Sequence, residues 1–397
     1  MGKTEKDVVI VGAARTAIGK FLGGVAGVPA PELLATVIKG VVDDLGVEKE
    51  LIEEVLAGNV VSAGIGQSPA RQAALKAQLP VTVAATTINK VCGSGLKAVM
   101  LGASLIKAGD RRVVFAGGME SMSRVPHYLP GLRQGVKYGE QVLLDGLIFD
   151  GLQDPYHNQH MGCFAEYTAE KAQISRLDQD SYSVESHKRA LAARDFHASD
   201  IVAVTVDNRK SGNGVEFVTD ELPRSDTSLE VLGKLKSAFS KDGSVTAGNA
   251  SPLSDGAAGV LLMQRGLASS LGLEIKASIK AYATSGLEPR DIFFAPADAI
   301  RINMQQIGLK NVNQFDAIEI NEAFAAQTLA NQRSLGIDIE RLNRFGGALA
   351  LGHPIGASGA RVLVTLLNVL RRIGGTLGCV AVCLGGGNAV SMVIERE

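Results

Sequence analysis

Two stretches far apart in the chain share one pattern. Ser94-Gly95-Leu96-Lys97 opens an apolar segment closed by Gly109, and an apolar run then leads into Gly117-Gly118. Ser358-Gly359-Ala360-Arg361 opens another, closed by Gly374-Gly375, whose strand-like run leads into Gly385-Gly386-Gly387. Each unit reads as helix, turn, strand and glycine cluster. A chain that builds this unit twice is an α/β protein with two similar halves. Small residues also match by chance, so spacing alone leaves duplication and coincidence both open. The segment from Cys92 towards Ala108 adds a second constraint. It is apolar on nearly every side, with few charges before Lys107, which predicts a helix buried on all faces.

The rest of the chain supplies the elements such halves need. Val8-Val9-Ile10-Val11 is continuously apolar, as for a strand covered on both faces. Pro31 suits the first turn of a helix whose stripe is Leu33, Leu34, Val37, Ile38 and Val41, with Gly46 as its stop. Val81 to Ile88 is β-branched and delivers the Cys92 turn. From Ser121 to about Asn249 charged and aromatic residues increase and βαβ punctuation disappears. Within that stretch Thr168 or Ser175, with Asp178, marks a helix start, Ile201–Val206 reads as a strand, and 208–214 as an exposed turn-rich stretch. The character returns before Gly259–Met263. Ile275, Ala277, Ile279 and Ala281 then alternate with polar residues as in a one-sided strand.

Composition narrows the function classes. At 397 residues the chain is long enough for two or three domains. A formal net charge of -1 argues against a general nucleic-acid or membrane binder. The 4 cysteines are widely spaced, giving neither a disulfide framework nor clustered zinc ligands, so no metal site is expected. No uninterrupted apolar run reaches membrane-helix length. The polar N-terminal residues do not resemble a signal or transit peptide, and Ile394-Glu395-Arg396-Glu397 is no peroxisomal address, which together predict a cytoplasmic location.

Four glycine-flanked or strand-end segments carry the chemistry. In Asn89-Lys90-Val91-Cys92-Gly93-Ser94-Gly95 a cysteine stands at the mouth of a turn opening into the buried helix. Were that helix to start near Cys92, its free N–H groups would favour the thiolate. A lone cysteine is equally a small buried hydrophobe. Leu351-Gly352-His353-Pro354-Ile355-Gly356-Ala357-Ser358-Gly359 places a histidine before the second helix, and Ala381-Val382-Cys383-Leu384-Gly385-Gly386-Gly387 ends a strand on another cysteine. Glu319-Ile320-Asn321-Glu322-Ala323-Phe324 puts polar groups where a strand gives way to a helix. Each has a structural alternative: an ordinary turn histidine, a packed thiol of the kind read at Cys379, or a helix cap at Asn321. Taken together and in this order, they resemble the thiolase family, and more closely its acetoacetyl-CoA, biosynthetic-type branch, over nearly the whole length.

The resemblance implies a thiolase fold: two similar halves, each with a mixed five-stranded sheet, in an α-β-α-β-α layering with two equivalent helices buried between the sheets. Residues 1–120 and 250–271 are expected to form the N-terminal half, 121–249 an inserted loop domain for CoA and substrate, and 272–397 the C-terminal half. It further implies Cys92 as nucleophile, His353 as the base that activates it and Cys383 as the second acid/base. Asn321 would orient a water that shares one oxyanion hole with His353, and the amides of Cys92 and Gly385 would form the other. His160 and Met161 match a substrate-pocket pair, Ser251 a contact to the pantetheine arm and Arg224 a contact to the CoA nucleotide, for which a solvated surface charge is the alternative. Phe324 would limit acyl length, and Cys163 is assigned to structure or pocket lining. Cys163-Phe164 and Val231 depart from the close family pattern, which bears on acyl selectivity and CoA contacts and leaves the reaction untouched.

The implied reaction is 2 acetyl-CoA to acetoacetyl-CoA plus CoA through an acyl-cysteine. No cofactor is needed, since the CoA thioesters are substrates, and a homo-oligomer is expected, a tetramer in particular. A degradative 3-ketoacyl-CoA thiolase of broader chain length and a non-catalytic acyl-CoA or lipid-binding protein of the same fold are the alternatives.

Overall fold

The elements of the first half, in a computed structural model that describes residues 3–207 and 214–397, are β1 (Val8–Thr16), α1 (Ala30–Leu45), β2 (Glu54–Gly58), α2 (Pro69–Lys76), β3 (Ala84–Ile88), α3 (Ser94–Ala108) and β4 (Val113–Ser121). After α4 (Met161–Lys171) and α5 (Arg176–Ala192), β5 (Ser254–Gln264) returns to the same sheet. The second half runs β6 (Ala277–Gly286), α6 (Ala295–Ile307), β7 (Ala317–Ile320), α7 (Ala325–Leu335), α8 (Ser358–Ile373), β8 (Leu377–Leu384) and β9 (Asn388–Arg396). Local chemistry accounts for the boundaries. α1 has Pro31 in its first turn, buries Leu33, Leu34, Val37, Ile38 and Val41, and ends on Gly46 at φ 61°, where glycine lacks the Cβ penalty. Ser175, not Thr168, caps α5, through a capping box closed by Asp178.

Sheet order shows the duplication. The first half runs β1-β5-β4-β2-β3, with two antiparallel pairings followed by two parallel ones. The second runs β6-β9-β8-β7 with the same senses. Its fifth position is reduced to a single parallel bridge between Ile318 and Leu342. The halves join at their edges through Val9–Ser278 and Ile10–Ala277, so the ladder is continuous. α3 packs on β4 and β2, α8 on β8 and β7, and each reaches across to the opposite sheet. Leu96, Val99, Val260, Leu363, Leu366 and Val380 meet there in one core. Each such side chain contributes about 1.5–3 kcal/mol by leaving water. Outer layers of α1 and α2 on one side, and α6 on the other, complete the α-β-α-β-α order.

The paired Ser-Gly motifs have a steric reason. A Cβ on Gly359 would lie 2.4 Å from the backbone nitrogen of Leu96, and one on Gly95 would lie 2.9 Å from that of Ala360. The first turns of α3 and α8 therefore touch backbone to backbone, and only glycine permits that approach. Residues Val91–Ala108 are long and apolar enough by composition to cross a bilayer. Packing between the two sheets accounts for most of that composition, but the helix is not buried on all faces: Lys97, Leu101, Ser104 and Leu105 form a half-buried side, and Lys107 and Ala108 are exposed.

Between β4 and β5 the expected strand at 201–206 is broken in two. Ile201–Val202 pairs in parallel with the end of β1, while Val204–Asp207 forms a hairpin with Gly214–Phe217. The turn-rich reading of 208–214 falls outside the described residues except at Gly214, which begins a strand.

Candidate active site

β3 ends at Ile88 and the chain turns sharply through Val91 before α3 begins. Asn89 Oδ1 accepts from Val91 N–H at 3.0 Å, and Ser94 Oγ accepts from Lys90 N–H at 2.8 Å while donating to Val91 C=O at 2.6 Å. These bonds hold Val91 at φ +44°, a left-handed conformation that costs a β-branched residue about 1–3 kcal/mol. Cys92 follows, half-buried, two residues before the helix starts. The expected thiolate is not what this environment favours. Burial first, and then the Glu120 carboxylate, push the thiol up to about 12. The amides of Cys92 and Gly385 hydrogen-bond the sulfur and pull the other way, but more weakly. At rest Cys92 is a thiol.

His353 lies at the far side of the same space. Its Nδ1 is 2.5 Å from Ser358 Oγ, which is 2.9 Å from Pro354 C=O. Asn321, just past the end of β7, sets its Nδ2 3.4 Å from both ring nitrogens. Arg361, fully buried, donates from Nη2 to Asn321 Oδ1 at 3.1 Å. Burial and, after it, the Arg361 cation push the imidazole down to about 3, so the ring is neutral and free to take a proton. Cys383 is the penultimate residue of β8. Burial, followed by the proximity of Cys92, raises its thiol far above the ordinary value. Once ionised, such a thiol is a strong base, because its thiolate is poorly solvated.

Buried carboxylates tie the loops together. Glu120 accepts from Asn59 Nδ2, Val60 N–H, Val61 N–H and Gly356 N–H at 2.9–3.2 Å, which fastens the turn after His353 to β4. Glu322 accepts from Tyr182, Ser186, Asn343 and Leu349 N–H at 2.7–3.1 Å, which fastens the turn after β7 to α5. Ser251 N–H donates to Ala323 C=O at 3.0 Å, so the chain just after the inserted segment is fixed against that same turn.

Cys92, His353, Cys383 and Gly385 open together on a cavity of about 490 Å³, and His160, Met161, Ser251 and Phe324 complete its wall. His160 accepts from Gly162 N–H on Nδ1 at 3.0 Å and stacks on Phe239 with ring centroids 4.8 Å apart. Its Nε2 therefore carries the proton. Asn321 contacts the imidazole and is not among the residues that line the cavity. Arg224 is not part of the wall. It is exposed and paired with Asp226 at 3.2 Å. Cys163 faces a separate cleft beside Glu166 and Tyr167, and Cys379 is buried against Ser391. Sequence reading missed Glu120, Ser358 and Arg361 as site residues. Ser358 and Arg361 were visible only as part of the repeat, three residues apart and so on one face of α8.

Comparison with known proteins agrees with this geometry. Residues 8–266 match the thiolase N-terminal domain and residues 273–396 the thiolase C-terminal domain. The chain belongs to the thiolase family. An acetyl-CoA acetyltransferase of Pseudomonas aeruginosa is 50% identical over 394 residues, 99% of this chain and 100% of the relative. One of Cupriavidus necator is 49% identical over 393 residues, 98% of this chain and 100% of its own length. A Gibberella zeae protein named as the cytosolic acetyl-CoA acetyltransferase ERG10 is 44% identical over 390 residues, 98% of each chain. In this thiolase the matched domains span both halves of the duplicated fold.

Proposed function

We infer that this thiolase is an acetyl-CoA C-acetyltransferase, joining 2 acetyl-CoA into acetoacetyl-CoA and CoA and running the reverse thiolysis on the same residues. The observation that carries the reading is the convergence of two thiols and one neutral imidazole on a single cavity, each thiol from a different half of the fold. The high identity to acetyl-CoA acetyltransferases over the full length supports it.

In the proposed mechanism Cys92 gives its proton to His353 as its sulfur attacks the thioester carbonyl. Burial disfavours a standing thiolate–imidazolium pair, so this transfer is coupled to attack. The amides of Cys92 and Gly385, already aimed at the sulfur, receive the charge of the tetrahedral intermediate. Cys383 protonates the departing CoA and is left as a thiolate. The second acetyl-CoA then offers its oxygen to protonated His353 and to a water held by Asn321. Cys383 removes the α-proton, and the carbanion attacks acetyl-Cys92. The expelled Cys92 sulfur recovers its proton from His353, so the cycle closes with every proton returned.

We assign His160, Met161, Ser251 and Phe324 to the acyl and pantetheine end of the substrate. Arg224, at the surface, is proposed for the CoA nucleotide, and residues 121–249 for the loop domain that carries His160, Met161 and Arg224 between the N-terminal half (1–120 and 250–271), which supplies Ser251, and the C-terminal half (272–397), which supplies Phe324. A homotetramer is proposed, supported by exposed apolar side chains at Tyr138, Val142, Leu143 and Phe149 in that segment. The cytosolic name of the Gibberella zeae relative supports the same compartment here. The test of the activity is thiolysis of acetoacetyl-CoA against a long-chain 3-ketoacyl-CoA. A large preference for the short substrate is expected, and comparable rates overturn the assignment.

A further inference from the structure

A serine beside a helix start ordinarily caps it by accepting an N–H from the first turn. Ser94, the first residue of α3, does not. No side chain caps this helix, and the buried Ser94 hydroxyl turns back into the Cys92 loop. It accepts from Lys90 N–H at 2.8 Å and gives its one proton to Val91 C=O at 2.6 Å. The same carbonyl accepts from Ser94 N–H at 3.0 Å.

Both bonds fall on the peptide between Val91 and Cys92. This peptide is trans, so its N–H points opposite its C=O. Fixing the Val91 carbonyl towards Ser94 therefore fixes the Cys92 N–H the other way, towards the Cys92 sulfur. That N–H is one of the two donors assigned above to the acyl oxygen, and Gly385 N–H is the other. The plane needs holding, because Val91 sits at φ +44°, where a β-branched residue is strained and relaxation would turn the peptide.

Ser94 itself rests on a rigid frame. A Cβ on Gly58, the last residue of β2, would lie 2.6 Å from Ser94 Cβ, so the strand end presses against the serine. Its counterpart in the second half is used alike, since Ser358 Oγ bonds back to Pro354 C=O and to His353 Nδ1. Each copy of the repeat thus turns its serine towards the catalytic residue that precedes its helix. A rival brace is the Val91 side chain, whose Cγ1 would lie 3.2 Å from a Cβ on Gly385.

We propose that Ser94 is a positioning residue for the oxyanion site: its hydroxyl locks the Val91–Cys92 peptide so that the Cys92 N–H is aimed at the acyl oxygen before substrate arrives. The proposal rests on the reading of the Cys92 and Gly385 amides as that site and adds what aims one of them. Ser94 does not line the cavity, so it acts only through this peptide.

The test is infrared spectroscopy of the acetyl group on Cys92, loaded from carbonyl-¹³C acetyl-CoA into Cys383→Ser protein, where the adduct is not carried on to condensation. Amide donors weaken the carbonyl bond, so its band should lie below that of free acetyl-CoA. Ser94→Ala should move the band part of the way back and broaden it, because Gly385 N–H remains. With Cys383 intact, Ser94→Ala should lower kcat about tenfold with KM for acetyl-CoA unchanged, short of the roughly 10²–10³-fold that follows outright loss of an oxyanion donor. Val91→Gly is the companion variant, since glycine takes φ +44° without strain and the hydroxyl stays in place. It should keep the low band. Ser94→Ala added to it should lose that band, and this pair remains testable if the strained valine keeps Ser94→Ala alone from folding. A low, sharp band with wild-type kcat in Ser94→Ala overturns the proposal. So does loss of the low band in Val91→Gly, which assigns the aim to the valine side chain. A band at the free acetyl-CoA frequency with Ser94 and Val91 both intact refutes the oxyanion reading itself.

Discussion

Replacing Gly359 with alanine tests whether the contact between α3 and α8 sets the site. The new Cβ would stand 2.4 Å from Leu96 N and 2.8 Å from Leu96 Cβ, where relaxed contacts are about 3.5–4.0 Å. Backbone cannot step aside as a side-chain tip can, so the helices must part by about 1 Å. Overpacking of this kind costs about 1–3 kcal/mol, and the better helix propensity of alanine returns about 1 kcal/mol. The expected net loss is about 0–2 kcal/mol, read as a lower urea midpoint. Activity should suffer more. Cys92 precedes α3, and Ser358, which holds His353, begins α8, so the same 1 Å separates nucleophile from base and is expected to cost about 10²-fold in kcat. Gly27→Ala is the control, since a Cβ at that position would meet nothing within 4 Å, and it should change stability by less than about 0.5 kcal/mol. If Gly359→Ala matches Gly27→Ala in midpoint and in kcat, the close approach of the helices does not govern the site.

The remaining predictions concern ionisation and the anchoring of the loops. Because burial and Glu120 push the Cys92 thiol up to about 12, iodoacetamide should modify the free enzyme slowly at pH 7, and the rate should climb about tenfold per pH unit through the alkaline range. A rate plateau near neutrality contradicts that environment. His353 and His197 are held neutral when folded, down to about 3 and about 4 respectively. The unfolded chain binds those protons near 6.5, so these two groups make stability fall as pH drops below 6.5, each by at most about 1.4 kcal/mol per pH unit until its folded-state value is passed. Glu120, Glu319 and Asp200, raised by burial to about 7, about 8 and about 6, act in the opposite sense over the same range. The His197 share is read by comparing urea midpoints of wild type and His197→Gln from pH 7 to pH 4, and a difference that does not change with pH refutes it. Glu322→Gln weakens the carboxylate held by Tyr182, Ser186, Asn343 and Leu349. It should cost about 1–3 kcal/mol and lower kcat by loosening the Asn321 turn. Unchanged stability would remove the turn's proposed anchor.

Much of the fold was legible because local and long-range signals agreed. The stripe of α1 and its Gly46 stop stand where their residues predict, Ser175 is the one of two expected caps that closes a box with Asp178, and the strand-turn-helix around Cys92 is present with its strand beginning at Ala84 instead of Val81 and its helix at Ser94 instead of Cys92. The repeat pointed to two similar halves, and strand order bears it out. What local pattern could not supply was anything set by the opposite half. The nearby helix start favours a thiolate at Cys92, but the burial imposed by β8 and by the turn carrying His353 outweighs it, and no residue near Cys92 announces that burial. Arg361 was read as a helix residue because its partner Asn321, 40 residues away, becomes a neighbour only after α8 docks, whereas Ser358, 5 residues from His353, was missed because its residue type does not reveal the turn that brings the ring back onto its hydroxyl. The expected strand Ile201–Val206 shows the same limit: Ile201–Val202 separates from Val204–Val206 because the end of β1 offers it an edge.

The most direct measurement of the central claim is the site of acyl transfer. Wild type, Cys92→Ser and Cys383→Ser are mixed with acetoacetyl-CoA and CoA, quenched early and mapped by peptide mass spectrometry. Acetyl-CoA is then supplied alone to the same proteins. One acetyl group is expected on Cys92 in wild type, the same adduct on Cys383→Ser when acetyl-CoA is supplied, and none at that position in Cys92→Ser. Cys383→Ser should lose carbon–carbon bond formation and cleavage. An acetyl group on Cys383 or Cys163 instead of Cys92, or full condensation by Cys383→Ser, contradicts the two-thiol chemistry.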